Sequence, residues 1–429
     1  MQTDWSLFMK ELLETKQELE QVILVGICTQ ENDDTEESLK ELAELVETAG
    51  AHPLTMVIQN RESIHPGTYL GKGKIEELRE LIDKLHATGI VCDDELSPAQ
   101  FRNLEDALDT KVMDRTLIIL DIFAAHASTK EGKIQVELAQ LKYRSARLVG
   151  LRSSLSRLGG GIGTRGPGEK KLEMDRRLIK DRIAQLNKEL QNVKQSREIS
   201  RQQRSRNRMP IAAIVGYTNA GKSTLLNKLT DANVLEEDKL FATLDPTTRN
   251  LRLSSGQEIL LTDTVGFIRK LPHHLIEAFR STLEEAKYAD IILHVVDTSN
   301  PQMNTQMQIV YETLKQLEIG NKPIITIFNK KDKLDSDSAP ILRDFKADKI
   351  LSISAKTGEG LNDLLTSLEE VLREQTIYLN YLFSYQDAGK IQSIRKSGQL
   401  LKEAYEEDGI RIEAYVPQEL YAKITAQKA

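Results

Sequence analysis

Two glycines, a lysine and a serine in the run GYTNAGKST, residues 216–224, have the types and the spacing to hold a chain of phosphates. Gly216 and Gly221 let the backbone curl until successive amides face one anion. The apolar run IAAIVG leads into the turn and LLNKLTD follows it, which puts the turn between a strand and the positive end of a helix. Tyr217, Thr218, Asn219 and Ala220 complete the loop, and Thr224 follows it. Lys222 is placed to reach the β and γ phosphates, and the Ser223 hydroxyl to ligate Mg²⁺. Asn219 is a candidate for placing a monovalent cation beside the phosphates; otherwise it shapes the loop.

Phosphates alone do not select a base. NKKD (329–332) follows the strand-like run PIITIF, and its Asp332 can accept hydrogen bonds from guanine N1–H and the exocyclic amine. Adenine offers neither donor, and a carboxylate left unmatched costs about 1–3 kcal/mol. Asn329 is placed for the other edge of the purine, the Lys330 stem for its face, and Lys331 lies between them and Asp332. SAK, formed by Ser354, Ala355 and Lys356, follows KILSIS and offers the Ala355 amide to guanine O6. GTP is therefore the expected substrate.

Two further runs are suited to sensing the γ-phosphate. In DTVGF (263–267), Asp263 is expected to hold Mg²⁺ through water and the Gly266 amide to bond the γ-phosphate, with Thr264 and Val265 between them. In FATLDPTTR (241–249), Thr243 is the expected second hydroxyl on Mg²⁺, flanked by Phe241, Ala242, Leu244 and Asp245, with Thr247 and Thr248 as substitutes. Such segments order around a γ-phosphate and relax after hydrolysis. Lys222, Thr243 and Gly266 are the expected catalytic groups. Phe267 stands where many small GTPases carry a glutamine that orients the attacking water. A phenylalanine has no group for that task, so slow hydrolysis, raised by a large partner, is expected.

The elements that must position these residues read as α/β throughout. Residues 1–128 alternate VILVGICT (22–29), a helix over 34–48, PLTMVIQ (53–59), a helix over 74–86, IVCDD (90–94), a helix after Pro98 and an apolar helical run over 114–127. A long helix from about Glu131 breaks at GGGIGTRGPGE, and a second charged helical stretch runs to Arg208; joined by the glycine-rich loop, the two predict an antiparallel hairpin over 129–208. A P-loop GTPase domain is expected over 209–374. A small C-terminal α/β module over 375–429 follows, with IYLNYLFS, a helix over 387–405, GIRIEAYVP and a short last helix.

Net charge is -7, yet residues 157–208 hold 15 Lys and Arg against 6 Asp and Glu, an asymmetry that suggests a local polyanion-binding surface as readily as a solvated helix face. No apolar run approaches the roughly 18 residues needed to span a bilayer, and no lipidation motif is present. Cys28 and Cys92 are far apart in apolar runs, which fits a reducing cytosol. Residues 1–128 show no Cys–His or paired-carboxylate constellation, so an RNA-modifying or RNA-remodelling protein regulated by its GTPase domain is the second reading.

LGGGIGTRGPGEKKLE (158–173), the basic helix, GYTNAGKST, FATLDPTTR and DTVGFIRKLP together resemble the HflX-type GTPases of the Obg-HflX superfamily, over about residues 20–374. The resemblance implies a cytoplasmic protein that binds the large ribosomal subunit and its RNA, is stimulated by it, and splits or rescues stalled or idle ribosomes. It also implies that the hairpin points toward the peptidyl transferase centre, with Arg144, Arg147, Arg152, Arg157, Arg165, Lys170 and Lys171 as candidate RNA contacts. Adenine nucleotides at the N-terminal domain are implied too, for which Gly71, Lys72, Gly73 and Lys74 form the candidate loop; a plain turn and helix cap is the competing reading there. GIGTRG (161–166) follows a helical run and not a strand, which argues against a dinucleotide site. His273 and His274 lack acidic or cysteine neighbours at metal-ligand spacing.

Overall fold

The computed structural model describes residues 19–30, 34–158, 167–206, 209–230, 240–241, 246–272, 275, 285–320, 322–334 and 342–425. They form two compact units, Met1–Ile122 with Tyr143–Met174, and Phe123–Lys142 with Asp175–Ala429.

In the first unit, β1 (Gln21–Cys28), α1 (Thr35–Thr48), β2 (His52–Asn60), α2 (Lys72–Leu85), β3 (Gly89–Cys92), α3 (Pro98–Leu108), β4 (Lys111–Asp114) and α4 (Arg115–His126) succeed one another. The strands form a parallel sheet in the order β2-β1-β3-β4. Apolar residues of β1 and β3, Ile23, Val25 and Ile90, pack with Leu78 of α2 and Leu104 of α3, all fully buried. A capping box starts α3: the Ser97 hydroxyl accepts the Gln100 amide and the Gln100 side chain accepts the Ser97 amide. Sequence alone assigns Asp114 to a helix, whereas KVMD is a strand. Asp109 ends α3 in the left-handed conformation at φ 48°, which frees the next residues to pair with β3. Four residues are too few for a period-two signal, so the neighbouring apolar helix masks them.

At the head of α4, the Arg115 guanidinium is 1% exposed and bonds Asp93 at 2.8 Å and Glu41. Asp114 takes the Leu96 and Leu117 amides, the Tyr143 hydroxyl at 2.7 Å and Arg147 at 2.5 Å.

In the second unit, α5 (Lys130–Leu158) contributes its first turns and α6 (Pro167–Arg206) its later ones. Ile134 and Leu138 pack with Leu186, and Arg182 forks onto Glu137 at 2.7 and 2.9 Å, which ties the two helices together. The glycine-rich segment 159–166 lies outside the described residues.

The nucleotide-type domain is a six-stranded sheet, order β10-β9-β8-β5-β7-β6, from β5 (Ile211–Gly216), β6 (Thr247–Arg252), β7 (Glu258–Asp263), β8 (Ile291–Asp297), β9 (Ile324–Asn329) and β10 (Lys349–Ser352). Only β6 runs antiparallel to its neighbour in this sheet. Helices α7 (Lys222–Thr230) and α8 (Met303–Gln316) lie between strands of the sheet and α9 (Leu361–Glu374) follows β10, and Leu225, Leu293, Ile325 and Leu368 are fully buried in its core.

The C-terminal module sets β11 (Thr376–Phe383), β13 (Gly409–Pro417) and β12 (Gln399–Glu406) in an antiparallel sheet with β13 central, accompanied by α10 (Ala388–Ser397) and α11 (Gln418–Thr425). The helix expected over 387–405 therefore ends at Ser397. A Cβ at Gly398 would come within 2.6 Å of the Tyr415 carbonyl, so this glycine lets the chain close on β13 and continue as β12. No helix among the described residues is long and apolar enough to cross a membrane.

Candidate nucleotide-binding site

The phosphate loop is built at the end of β5, which is hydrogen-bonded on both sides by β7 and β8. That is the point where strand order reverses, the usual place for a ligand crevice in an open α/β sheet. Past β5 the loop is zipped to the segment after β7: the Phe267 amide donates to the Gly216 carbonyl at 3.1 Å, and the Thr218 amide to the Phe267 carbonyl at 2.8 Å. Asn219 adopts φ 59° and Gly221 φ 92°, the left-handed turn that directs amides inward. A side chain at Gly216 would meet the Val295 carbonyl at 2.3 Å. Close strand packing, beyond loop freedom, therefore requires this glycine.

Lys222, the first residue of α7, is 7% exposed, and its Nζ donates to the Tyr217 carbonyl at 2.7 Å. Burial, with Lys330 adding to it, lowers its pKa to about 8 against the opposing pull of Asp263. The Ser223 hydroxyl donates to an Asp263 carboxylate oxygen at 2.7 Å. A hydroxyl and a carboxylate this close are hard oxygen donors of the kind Mg²⁺ takes. Thr224 is half-buried.

The base-reading residues converge from neighbouring strand ends. At the end of β9, Asn329 donates its side-chain amide to the Ala220 carbonyl and accepts the Ala355 amide, each at 2.9 Å. Ser354 donates to Asp332 at 2.5 Å, so the SAK loop holds the carboxylate expected to read guanine. Lys330 sits at φ 63° with its Nζ 2.7 Å from Asp297. Lys331 pairs with Glu359 at 2.5 Å, and Lys356 is exposed. Asp297 was not singled out by sequence; the strand-ending run HVVDTS was its only signal, and its partner is remote in the chain.

On the switch side, Asp263, Thr264, Val265 and Gly266 are buried, and the Thr264 hydroxyl donates to the Ile214 carbonyl at 2.7 Å. A Cβ on Gly266 would lie 2.7 Å from Thr218 Cγ2 and 3.0 Å from Lys222 Nζ, so its backbone stands directly against the phosphate loop. Phe267 is 2% exposed. Tyr217 is buried and its hydroxyl accepts the Arg269 amide at 2.8 Å, a further tie between loop and switch that no sequence motif announces. The Phe241 ring is buried edge-on against Phe123 at 4.7 Å. Ala242, Thr243, Leu244 and Asp245 lie outside the described residues, as do His273 and His274. Thr247 and Thr248 belong to β6, where the Thr248 hydroxyl meets that of Thr262 at 3.0 Å.

Elsewhere, Gly71 caps α2, which starts at Lys72, two residues earlier than expected. The Gly71 amide is taken by Gln59, Gly73 follows in the first turn, and Lys74 pairs with Glu77. Among the candidate RNA contacts, Arg144 is exposed, whereas Arg147 is bonded to Asp114 and stacked 3.2 Å from the Tyr143 ring centroid. Arg152, Arg157, Lys170 and Lys171 lie on α5 and α6 with side chains outside the description, and Arg165 lies outside it altogether.

The phosphate loop, the base-reading turn and the glycine facing them define a P-loop guanine-nucleotide-binding GTPase. Family models match along the chain: "GTP-binding GTPase N-terminal" over 36–124, "GTP-binding GTPase Middle Region" over 126–204 and "50S ribosome-binding GTPase" over 211–330. The chain belongs to the HflX family of GTPases. It is 70% identical to the GTPase HflX of Lacrimispora saccharolytica, covering 97% of this chain and 98% of that one. With the Escherichia coli GTPase HflX it shares 42% identity over 91% and 92% of the two chains. A GDP complex of a GTP-binding protein from Sulfolobus solfataricus is 26% identical, covers 81% of this chain and 98% of that one, and superposes with a TM-score of 0.43. The chain binds GTP and hydrolyses it to GDP and phosphate.

Proposed function

We propose that this GTPase is a switch that binds the large ribosomal subunit, is stimulated by it, and splits or rescues stalled or idle ribosomes. The observation that carries the reading is the run of 15 basic residues against 6 acidic ones over 157–208, directly ahead of the GTPase domain in an otherwise acidic chain. The "50S ribosome-binding GTPase" name of the matching model supports it. Phe267 supports it too, being buried where a polar side chain would orient water.

In this reading Lys222 and the amides of the 216–221 turn hold the phosphates, Asp332 and Ala355 read guanine, and Gly266 meets the γ-phosphate. Ser223 and Thr243 would hold Mg²⁺ directly and Asp263 through water, and the ion would supply positive charge against the phosphate oxygens. The test is the GTPase rate with and without purified large subunits. Stimulation is expected, and an unchanged rate overturns the reading. A variant with Arg157, Arg165, Lys170 and Lys171 all changed to Ala is expected to lose subunit binding and keep its GTP affinity.

A further inference from the structure

The Thr218 side-chain oxygen is buried and has no hydrogen-bond partner among the described residues. Such an orphan costs about 1–3 kcal/mol unless a ligand or water meets it, and in a native site it calls for a function. Thr218 is 6% exposed and its amide is fixed to the Phe267 carbonyl. Its methyl group is what a Gly266 side chain would strike first, with Lys222 Nζ close behind. The Thr218 methyl and backbone thus stand beside Gly266 and close to Lys222, the lysine expected at the γ-phosphate, and the same side chain carries the unused hydroxyl. The next candidate, Phe267, brings only a hydrocarbon ring.

We infer that Thr218 is a catalytic residue of GTP hydrolysis. Its hydroxyl accepts a hydrogen bond from the attacking water and donates one to a γ-phosphate oxygen, the in-chain orientation that Phe267 cannot supply. In this step the water oxygen bonds to the γ-phosphorus and the bond to the β–γ bridging oxygen breaks. The bridging electron pair leaves with GDP, and the water proton passes to a phosphate oxygen. The hydroxyl is unchanged at the end. The inference rests on the placing of Lys222 and Gly266 at the γ-phosphate, and it concerns the basal reaction, without the ribosome.

The test is single-turnover hydrolysis by the full chain without ribosomal subunits, with GDP affinity measured on the same samples. Thr218→Val keeps the shape and the methyl contact and removes the hydroxyl, while Thr218→Ser keeps the hydroxyl and removes the methyl. Thr218→Val is expected to be about tenfold slower or more with GDP affinity unchanged within about threefold, and Thr218→Ser to stay within about threefold of the parent rate. Parent-like hydrolysis by Thr218→Val overturns the inference. So does a Thr218→Ser as slow as Thr218→Val, which would mean packing matters and the hydroxyl does not. Equal losses of rate and GDP affinity overturn it as well, in favour of loop shape. If the phosphate site itself were misplaced, Lys222→Ala would bind GTP normally, which separates that failure from this one.

Discussion

The Asn329 side-chain amide donates to the Ala220 carbonyl at 2.9 Å, so the residue that opens the base-reading turn is also a strut of the phosphate loop. A Cβ at Gly221 would fall 2.3 Å from that same amide nitrogen, at φ 92°. Gly221→Ala must therefore strain the loop by about 1–3 kcal/mol and break the strut. GTP and GDP affinity are expected to fall together by roughly tenfold to a few hundredfold, read by nucleotide titration, with circular dichroism unchanged.

One oxygen of Asp332 is fixed by the Ser354 hydroxyl at 2.5 Å, which leaves the other for the proposed contact with guanine. Asp332→Asn keeps that bond and converts an acceptor into a donor. Guanine binding is expected to weaken by roughly 100-fold or more, while xanthosine triphosphate, which carries a carbonyl in place of the amine, should bind better than GTP. Competition between the two nucleotides measures it.

His294 on β8 is 1% exposed, edge-on to Tyr311 and near Asp344 and Lys222. Burial lowers its pKa from 6.5 to about 4. A depressed histidine pKa means the unfolded chain takes up a proton that the folded chain refuses. Stability is therefore full above pH 6.5 and falls as pH drops toward 4, by on the order of 3 kcal/mol from this residue. His294→Phe, which keeps the ring packing, should flatten the slope of denaturant stability between pH 7 and pH 5 relative to the parent.

Arg115 is matched to Asp93 and Glu41 in the first unit, with Ser38 completing the Asp93 shell. Removing the guanidinium leaves a buried carboxylate without a counter-charge. Arg115→Ala is expected to destabilise that unit by about 3–5 kcal/mol, and the double change Arg115→Met with Asp93→Leu by less than the single. Chemical denaturation followed by hydrogen exchange in β1 and β3 distinguishes them.

The phosphate loop, NKKD, SAK and DTVGF can be read from sequence because each is a contiguous run after a strand, and local spacing carries its chemistry. What joins them cannot be read that way. Lys330 to Asp297, Asn329 to Ala220, and the Thr218 methyl against Gly266 all depend on strand order, which places residues far apart in the chain at one sheet edge. The two strands that run into expected helices have local causes. KVMD is short and lies against an apolar helix, and QLLKEAYE has the charge spacing of a helix until β13 offers it hydrogen bonds.

The Arg147 ion pair with Asp114 has a consequence for how the hairpin would meet RNA. A cation releases condensed counterions from a phosphate backbone only when it is available to neutralise one. Arg147 already has a buried carboxylate, so it adds nothing to the slope of log affinity against log salt, and Arg147→Ala should leave that slope unchanged while loosening α5 at Asp114. If the hairpin binds a polyanion as proposed, its ionic footprint would be smaller than a count of basic residues along α5 and α6 implies, and exposed Arg144 remains available to contribute to it.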